Sequence, residues 1–142
     1  MKIELTENEL ELLSEAIRAQ EARTCAEIRV CISRRFVWRP ERYAWRLFDR
    51  MGMRNTRERN GALIVMMPRV RKVVILGDSG IDALVPPGYW EAAVALMIRH
   101  LKDGGLLIAL QEGLHVLGDT LSTHWPRKSD DAQELTDEIL MD

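Results

Sequence analysis

The chain has 142 residues, 46% of them apolar, and a formal net charge of −2. That is the size of one domain rather than two, and it is large enough to bury a core without a disulfide or metal staple. The balance of charge by itself points to neither a nucleic-acid binder nor a membrane-surface protein, and no apolar run approaches the ~20 residues of a membrane span.

Thr6-Glu7-Asn8-Glu9 reads as a capping box, with Leu5 and Leu10 placed for a hydrophobic staple. Leu10, Leu13 and Ile17 then follow helical spacing, which predicts a first helix over about residues 7–22. From Glu27 to Ser33 apolar residues alternate, and Ile28, Val30 and Ile32 share one face of a first strand. Arg39-Pro40-Glu41 opens a second helix, because proline suits the first helical position. Its apolar stripe is Ala44, Leu47, Phe48 and Met51, and Gly52 ends it.

The run Ala62–Met67 is apolar throughout, as expected of a strand covered on both faces. After a turn at Pro68–Arg71, residues Lys72–Leu76 return as an antiparallel third strand, which Gly77-Asp78-Ser79-Gly80 stops. A third helix carries Trp90, Ala93, Val94, Met97, Ile98 and Leu101 on one face and halts at Asp103-Gly104-Gly105. A fourth carries Leu106, Leu110, Leu114, Leu117 and Leu121. Gly113 and Gly118 interrupt it at a cost of ~1 kcal/mol each relative to alanine, which implies close packing at those points.

These elements predict a single three-layer α/β domain, a small mixed β-sheet flanked by helices on both faces, in the order α-β-α-β-β-α-α. The first two strands are parallel through a right-handed crossover. Residues 1–126 make the domain, and 127–142 read as a polar, acidic C-terminal tail.

Charge is unevenly spread. From Arg29 to Arg59 every basic residue is an arginine, and these outnumber Glu41, Asp49 and Glu58; from Asp103 to Asp142 the balance reverses. Arg39, Arg42, Arg46 and Arg50 follow helical spacing, either as a solvated face or as a dock for phosphate or an acidic protein. Cys25 and Cys31 flank one strand, too far apart to bridge, and read as reduced thiols. With Met1-Lys2-Ile3-Glu4 carrying no apolar leader, the expectation is a cytoplasmic protein. His100, His115 and His124 lack metal-ligand spacing, and no nucleophile elbow or phosphate-binding glycine loop is present.

The strand directions gather polar residues at one sheet edge. Glu27 starts the first strand, Asn60 precedes the second and Asp78 follows the third; Asp82 lies one short loop on, and Glu21 and Thr24 leave the first helix there. Carboxylates, an amide and backbone carbonyls are hard oxygen donors that suit Ca²⁺ or Mg²⁺ rather than zinc. Each residue also has an ordinary role: Asp78-Ser79-Gly80 as a turn, Thr24 as a helix stop, Asn60-Gly61 as a loop, and Glu27 in a surface pair with Arg29 or Arg59.

The same residues carry a resemblance. Leu5-Thr6, Glu21-x-x-Thr24-x-x-Glu27-Ile28, Phe48-x-x-x-Gly52-Met53, Thr56-x-x-Arg59-Asn60-Gly61-Ala62-Leu63-Ile64, Gly77-Asp78-x-Gly80-Ile81, Trp125-Pro126 and Glu134-Leu135-x-Asp137-Glu138-Ile139 together resemble the TPM domain, named for thylakoid, secreted bacterial and animal membrane proteins. Ala26 departs from the glycine usual before the strand glutamate. The resemblance implies a small sheet flanked by helices. Relatives are described as acid phosphatases, as calcium-binding domains and as helpers of membrane complexes, including photosystem repair.

Three functions follow as expectations. The first is a Ca²⁺- or Mg²⁺-binding interaction module with Glu27, Asp78, Asp82 and Asn60 as ligands. The second is a weak metal-assisted acid phosphatase acting on phosphomonoesters, with Asp78 and Glu27 as catalytic carboxylates. The third is a protein-binding domain that uses the arginine face of the second helix. None of them calls for nucleic acid or membrane insertion.

Overall fold

Thr6 accepts the Glu9 N–H on its Oγ1 at 3.1 Å, and Glu9 Oε1 accepts the Thr6 N–H at 3.0 Å. This reciprocal cap starts α1 (Glu7–Glu21) where the sequence predicts it. The computed structural model describes residues 4–128 and 139–142. After α1 come β1 (Glu27–Ile32), α2 (Pro40–Arg50), β2 (Gly61–Met67), a 3₁₀ turn at Pro68–Val70, and β3 (Lys72–Gly77). The chain continues through α3 (Ser79–Asp82), α4 (Tyr89–Asp103), α5 (Leu106–His124) and β4 (Ile139–Met141).

The four strands lie in the order β3-β2-β1-β4. β1 runs parallel to β2 and β4, and β3 runs antiparallel to β2. Alternation along the strands divides the core into two. Ile28, Val30, Ile32, Ile64 and Met66 pack with Leu13 and Ile17 of α1, Met97 of α4 and Leu114 of α5. Cys31, Leu63, Val65 and Leu76 pack on the other face with Ala44, Leu47 and Phe48 of α2. β2 is central and buried along its whole length, which explains its unbroken apolar run. The mixed α/β three-layer architecture is the expected one.

The two glycines of α5 have the steric reason their spacing implies. A methyl group on Gly113 would overlap Met97 of α4, and one on Gly118 would overlap the Gln20 side chain of α1. At both points a side chain from a neighbouring helix fills the space that a methyl group would take.

Two elements are additions to the sequence reading. α3 is a single turn, capped by Asp78, whose side chain accepts the Ser79 N–H. β4 adds a third parallel rung, with Val30, Cys31 and Ile32 paired to Ile139, Leu140 and Met141. Ile139–Met141 is too short to announce itself by alternation, and it becomes a strand because β1 has an open edge beside it. The stretch read as an acidic tail therefore ends inside the sheet, while its middle part, 129–138, lies outside the described residues.

Candidate functional site

β1, β2 and β3 bring Glu27, Asn60 and Asp78 to one edge of the sheet. Glu27 pairs in register with Gly61 and donates its N–H to Asn60 O at 3.4 Å. Asp78 donates its N–H to Gly61 O at 2.9 Å. Glu27 and Asp78 thus stand on either side of Gly61, two strand spacings or ~10 Å apart across the sheet. Gly61 leaves room there for the backbone after α2: an added methyl group would sit 2.6 Å from Met53 O.

Each carboxylate has an arginine. Arg29 Nη2 lies 3.2 Å from Glu27 Oε2, and Arg29 Nη1 lies 3.4 Å from Glu21 Oε1. Arg29 Nη1 also donates to Ile28 O at 2.7 Å. This pair is buried, where the surface alternative had placed it in water. Arg59 grips Asp78 with two parallel bonds, Nε to Oδ2 at 2.7 Å and Nη2 to Oδ1 at 2.8 Å. Asp78 Oδ1 also accepts the Ser79 N–H at 2.7 Å and lies 3.7 Å from Arg54 Nη1. Burial pushes the Asp78 carboxyl up, but the bonds from Arg59 and Ser79 and the charges of Arg59 and Arg54 outweigh it and hold the group below the usual carboxylate range.

Arg59, offered by the sequence as a surface partner of Glu27, pairs with Asp78 instead. It adopts a left-handed backbone conformation, φ 51°, uncommon for a residue with a side chain. The loop is held there by Gly80, whose N–H donates to Arg59 O at 2.9 Å and whose missing side chain lets the Glu58 and Arg59 carbonyls close in. The signal in the sequence is the juxtaposition of Arg59-Asn60-Gly61 with Asp78-Ser79-Gly80 on antiparallel neighbours.

The other nominated residues divide. Asn60 is 1% exposed, its N–H donates to Thr56 Oγ1 at 3.0 Å, and its Oδ1 is buried without a donor. Asp82 turns to α4, where its Oδ1 accepts the Trp90 Nε1–H at 3.0 Å. Thr24 is structural: its hydroxyl donates to Leu121 O or Trp125 O and accepts the Ala26 N–H, tying the exit of α1 to the end of α5. Among the described residues, no three or more His, Cys, Asp or Glu side chains gather as a metal site. The donors that do share the edge, Glu27, Asp78 and Asn60 Oδ1, are hard oxygens and fit Ca²⁺ or Mg²⁺ in kind.

A profile of the TPM domain matches residues 4–120. The chain belongs to the TPM-domain family. Its structure is similar to the NMR structure of BA42 protein from the psychrophilic bacterium Bizionia argentinensis, with a TM-score of 0.89, 31% identity and 99% of each chain covered. It shares the fold of the N-terminal domain of a protein from P. gingivalis, at a TM-score of 0.67 and 21% identity over 85% of this chain and 78% of that one. No curated protein matches this sequence. Within this TPM domain, no helix among the described residues is long and apolar enough to cross a membrane.

Proposed function

We propose that this TPM domain is an accessory interaction module that takes a divalent cation, Ca²⁺ ahead of Mg²⁺, at the edge shared by Glu27, Asn60 and Asp78. The observation that supports this is the Asn60 Oδ1, an oxygen removed from water with no donor to satisfy it. An orphaned buried acceptor is disfavoured unless something completes it. Glu27 and Asp78 would supply charge beside it, and Asp82, held by Trp90, stays outside the ligand set. Arg59 is 45% exposed and reaches the fully buried Asp78 carboxylate from outside, so a cation enters by taking its place. Arg29 is buried and stays.

The hydrolytic alternative has no comparable observation behind it. A metal-assisted phosphatase needs a carboxylate to activate water, and a carboxyl held below its usual range is a weak base for that task.

Calorimetric titration tests the proposal. Ca²⁺ should bind the wild type, bind Asn60→Ala more weakly and leave Asp78→Asn without measurable heat. At free Ca²⁺ ~100-fold above its Kd, binding to the folded state alone adds ~2.7 kcal/mol, which raises the melting temperature by several degrees. Wild-type protein indifferent to millimolar Ca²⁺ in both measurements would overturn the reading. Turnover of an aryl phosphate that disappears in Asp78→Asn would favour the hydrolytic one.

A further inference from the structure

A second surface, away from the carboxylate edge, has its own character. The loop between β1 and α2 presents Trp38 at 92% and Phe36 at 76% exposed, the two most exposed large apolar side chains among the described residues. Leaving two such side chains in water is unfavourable, and exposed apolar groups rimmed by polar ones mark interaction sites. The rim here is arginine. Phe36 and Trp38 share a shallow depression of about 300 Å³ with Arg35, Arg39, Arg42 and Arg46, and no carboxylate lines it. Arg69, from the turn before β3, adds its guanidinium over the Phe36 ring at 5.2 Å. Arg35 is committed to Asp142 at 2.9 Å, whereas no ion pair joins Arg39, Arg42 or Arg46 to another described residue. The whole-chain charge of −2 conceals this patch.

We infer that the Phe36–Trp38 loop and the first turns of α2 dock the domain peripherally on an anionic phospholipid surface. Charge complementarity selects an anionic partner, and the form of the patch selects a bilayer. Trp38 projects outward, nine-tenths in water, and needs a soft apolar medium rather than a preformed pocket. Indole rings settle at the level of the lipid headgroups, and guanidinium groups beside them bind headgroup phosphates through paired donors. Stacking on nucleic-acid bases fits less well, because Arg69 already covers the Phe36 face. No membrane-crossing helix is needed, since the aromatic tips alone enter the interface.

The test is co-sedimentation of the full chain with vesicles of phosphatidylcholine containing phosphatidylserine, and with vesicles of phosphatidylcholine alone. Wild type should pellet with the anionic vesicles, far less with the neutral ones, and release as salt rises. Phe36→Ala/Trp38→Ala and Arg39→Glu/Arg42→Glu should each lower partitioning by about tenfold or more. All four side chains are exposed, so neither variant should shift the melting temperature. In Trp38→Phe binding should persist, while quenching of tryptophan fluorescence by brominated acyl chains should be lost. Equal pelleting with neutral vesicles, or anionic binding that ignores the loss of both aromatics, would overturn the inference. So would equally strong binding to soluble polyglutamate or a single-stranded oligonucleotide, which would assign the patch to an acidic protein or a nucleic acid. These outcomes are independent of Ca²⁺ at Asp78.

Discussion

Glu27 Oε2 and Arg29 Nη2 lie 3.2 Å apart on the α2 face of β1, with 4% and 1% of their side chains exposed. Two charges this far from water depend on each other, because removing one leaves the other buried and uncompensated. Arg29→Ala is therefore expected to destabilise the domain by about 3–5 kcal/mol, a fall in melting temperature of roughly 6–20 °C. Glu27→Gln combined with Arg29→Met should recover much of the loss, since it removes both charges together. A single variant that melts with the wild type would show that water or another side chain replaces the pair.

Arg59 is expected to compete with Ca²⁺ for Asp78. Arg59→Gln removes the paired guanidinium bonds while leaving the carboxylate, so Ca²⁺ affinity by calorimetry should rise by about tenfold. The same variant without Ca²⁺ should melt below wild type, and Ca²⁺ should narrow the gap. Unchanged affinity would separate Arg59 from the cation site.

Acid should weaken the fold through Asp78 and Asp142. Burial opposes ionisation of both, but Arg59, the Ser79 N–H and Arg54 at Asp78, and Tyr43, Arg50 and Arg35 at Asp142, hold them below the ordinary 3.8. A carboxyl that titrates lower folded than unfolded stabilises fully above its unfolded value and loses that contribution as pH falls through and below it. Melting temperature should fall progressively between about pH 5 and pH 2. Asp78→Asn and Asp142→Asn should each start lower and show a shallower fall over that range.

Gly118→Ala should cost more than Gly113→Ala, although helix propensity favours both changes by about 1 kcal/mol. The new methyl at Gly113 meets Met97, whose flexible thioether can repack. At Gly118 it meets Gln20 Oε1, which accepts a bond from Arg23 Nη1 at 2.8 Å and cannot move without breaking it. Overpacking of this kind costs about 1–3 kcal/mol, and urea denaturation of the two variants gives the order directly.

The two thiols should differ in reactivity. Burial, with the nearby Asp142 charge, pushes the Cys31 thiol up to about 12, whereas Cys25 is only half-buried. Thiolate is the reactive form, so a maleimide at mildly alkaline pH should leave Cys31 unlabelled in native protein and label it after denaturation. Mass spectrometry of the peptide that carries Cys31 reads the result.

The capping box at Thr6, the alternation of Ile28, Val30 and Ile32, the unbroken run Ala62–Met67 and the Pro40 and Gly52 boundaries of α2 were all legible in the sequence, because such signals are contained within one element. Strand direction then placed Glu27 and Asp78 at one edge, since direction and length alone decide which strand ends meet. Which charge meets which was decided by the tertiary structure. Arg59 reaches Asp78 through a left-handed turn held by Gly80, and Asp82 leaves the edge because α3 rotates it toward Trp90. β4 exists as a strand only against the open edge of β1, a pairing between Val30 and Ile139 that no local pattern announces. Periodicity is a property of neighbours along the chain, whereas ion pairs and parallel strand contacts are properties of loops closed over long separations, and their geometry is set only when the chain has packed.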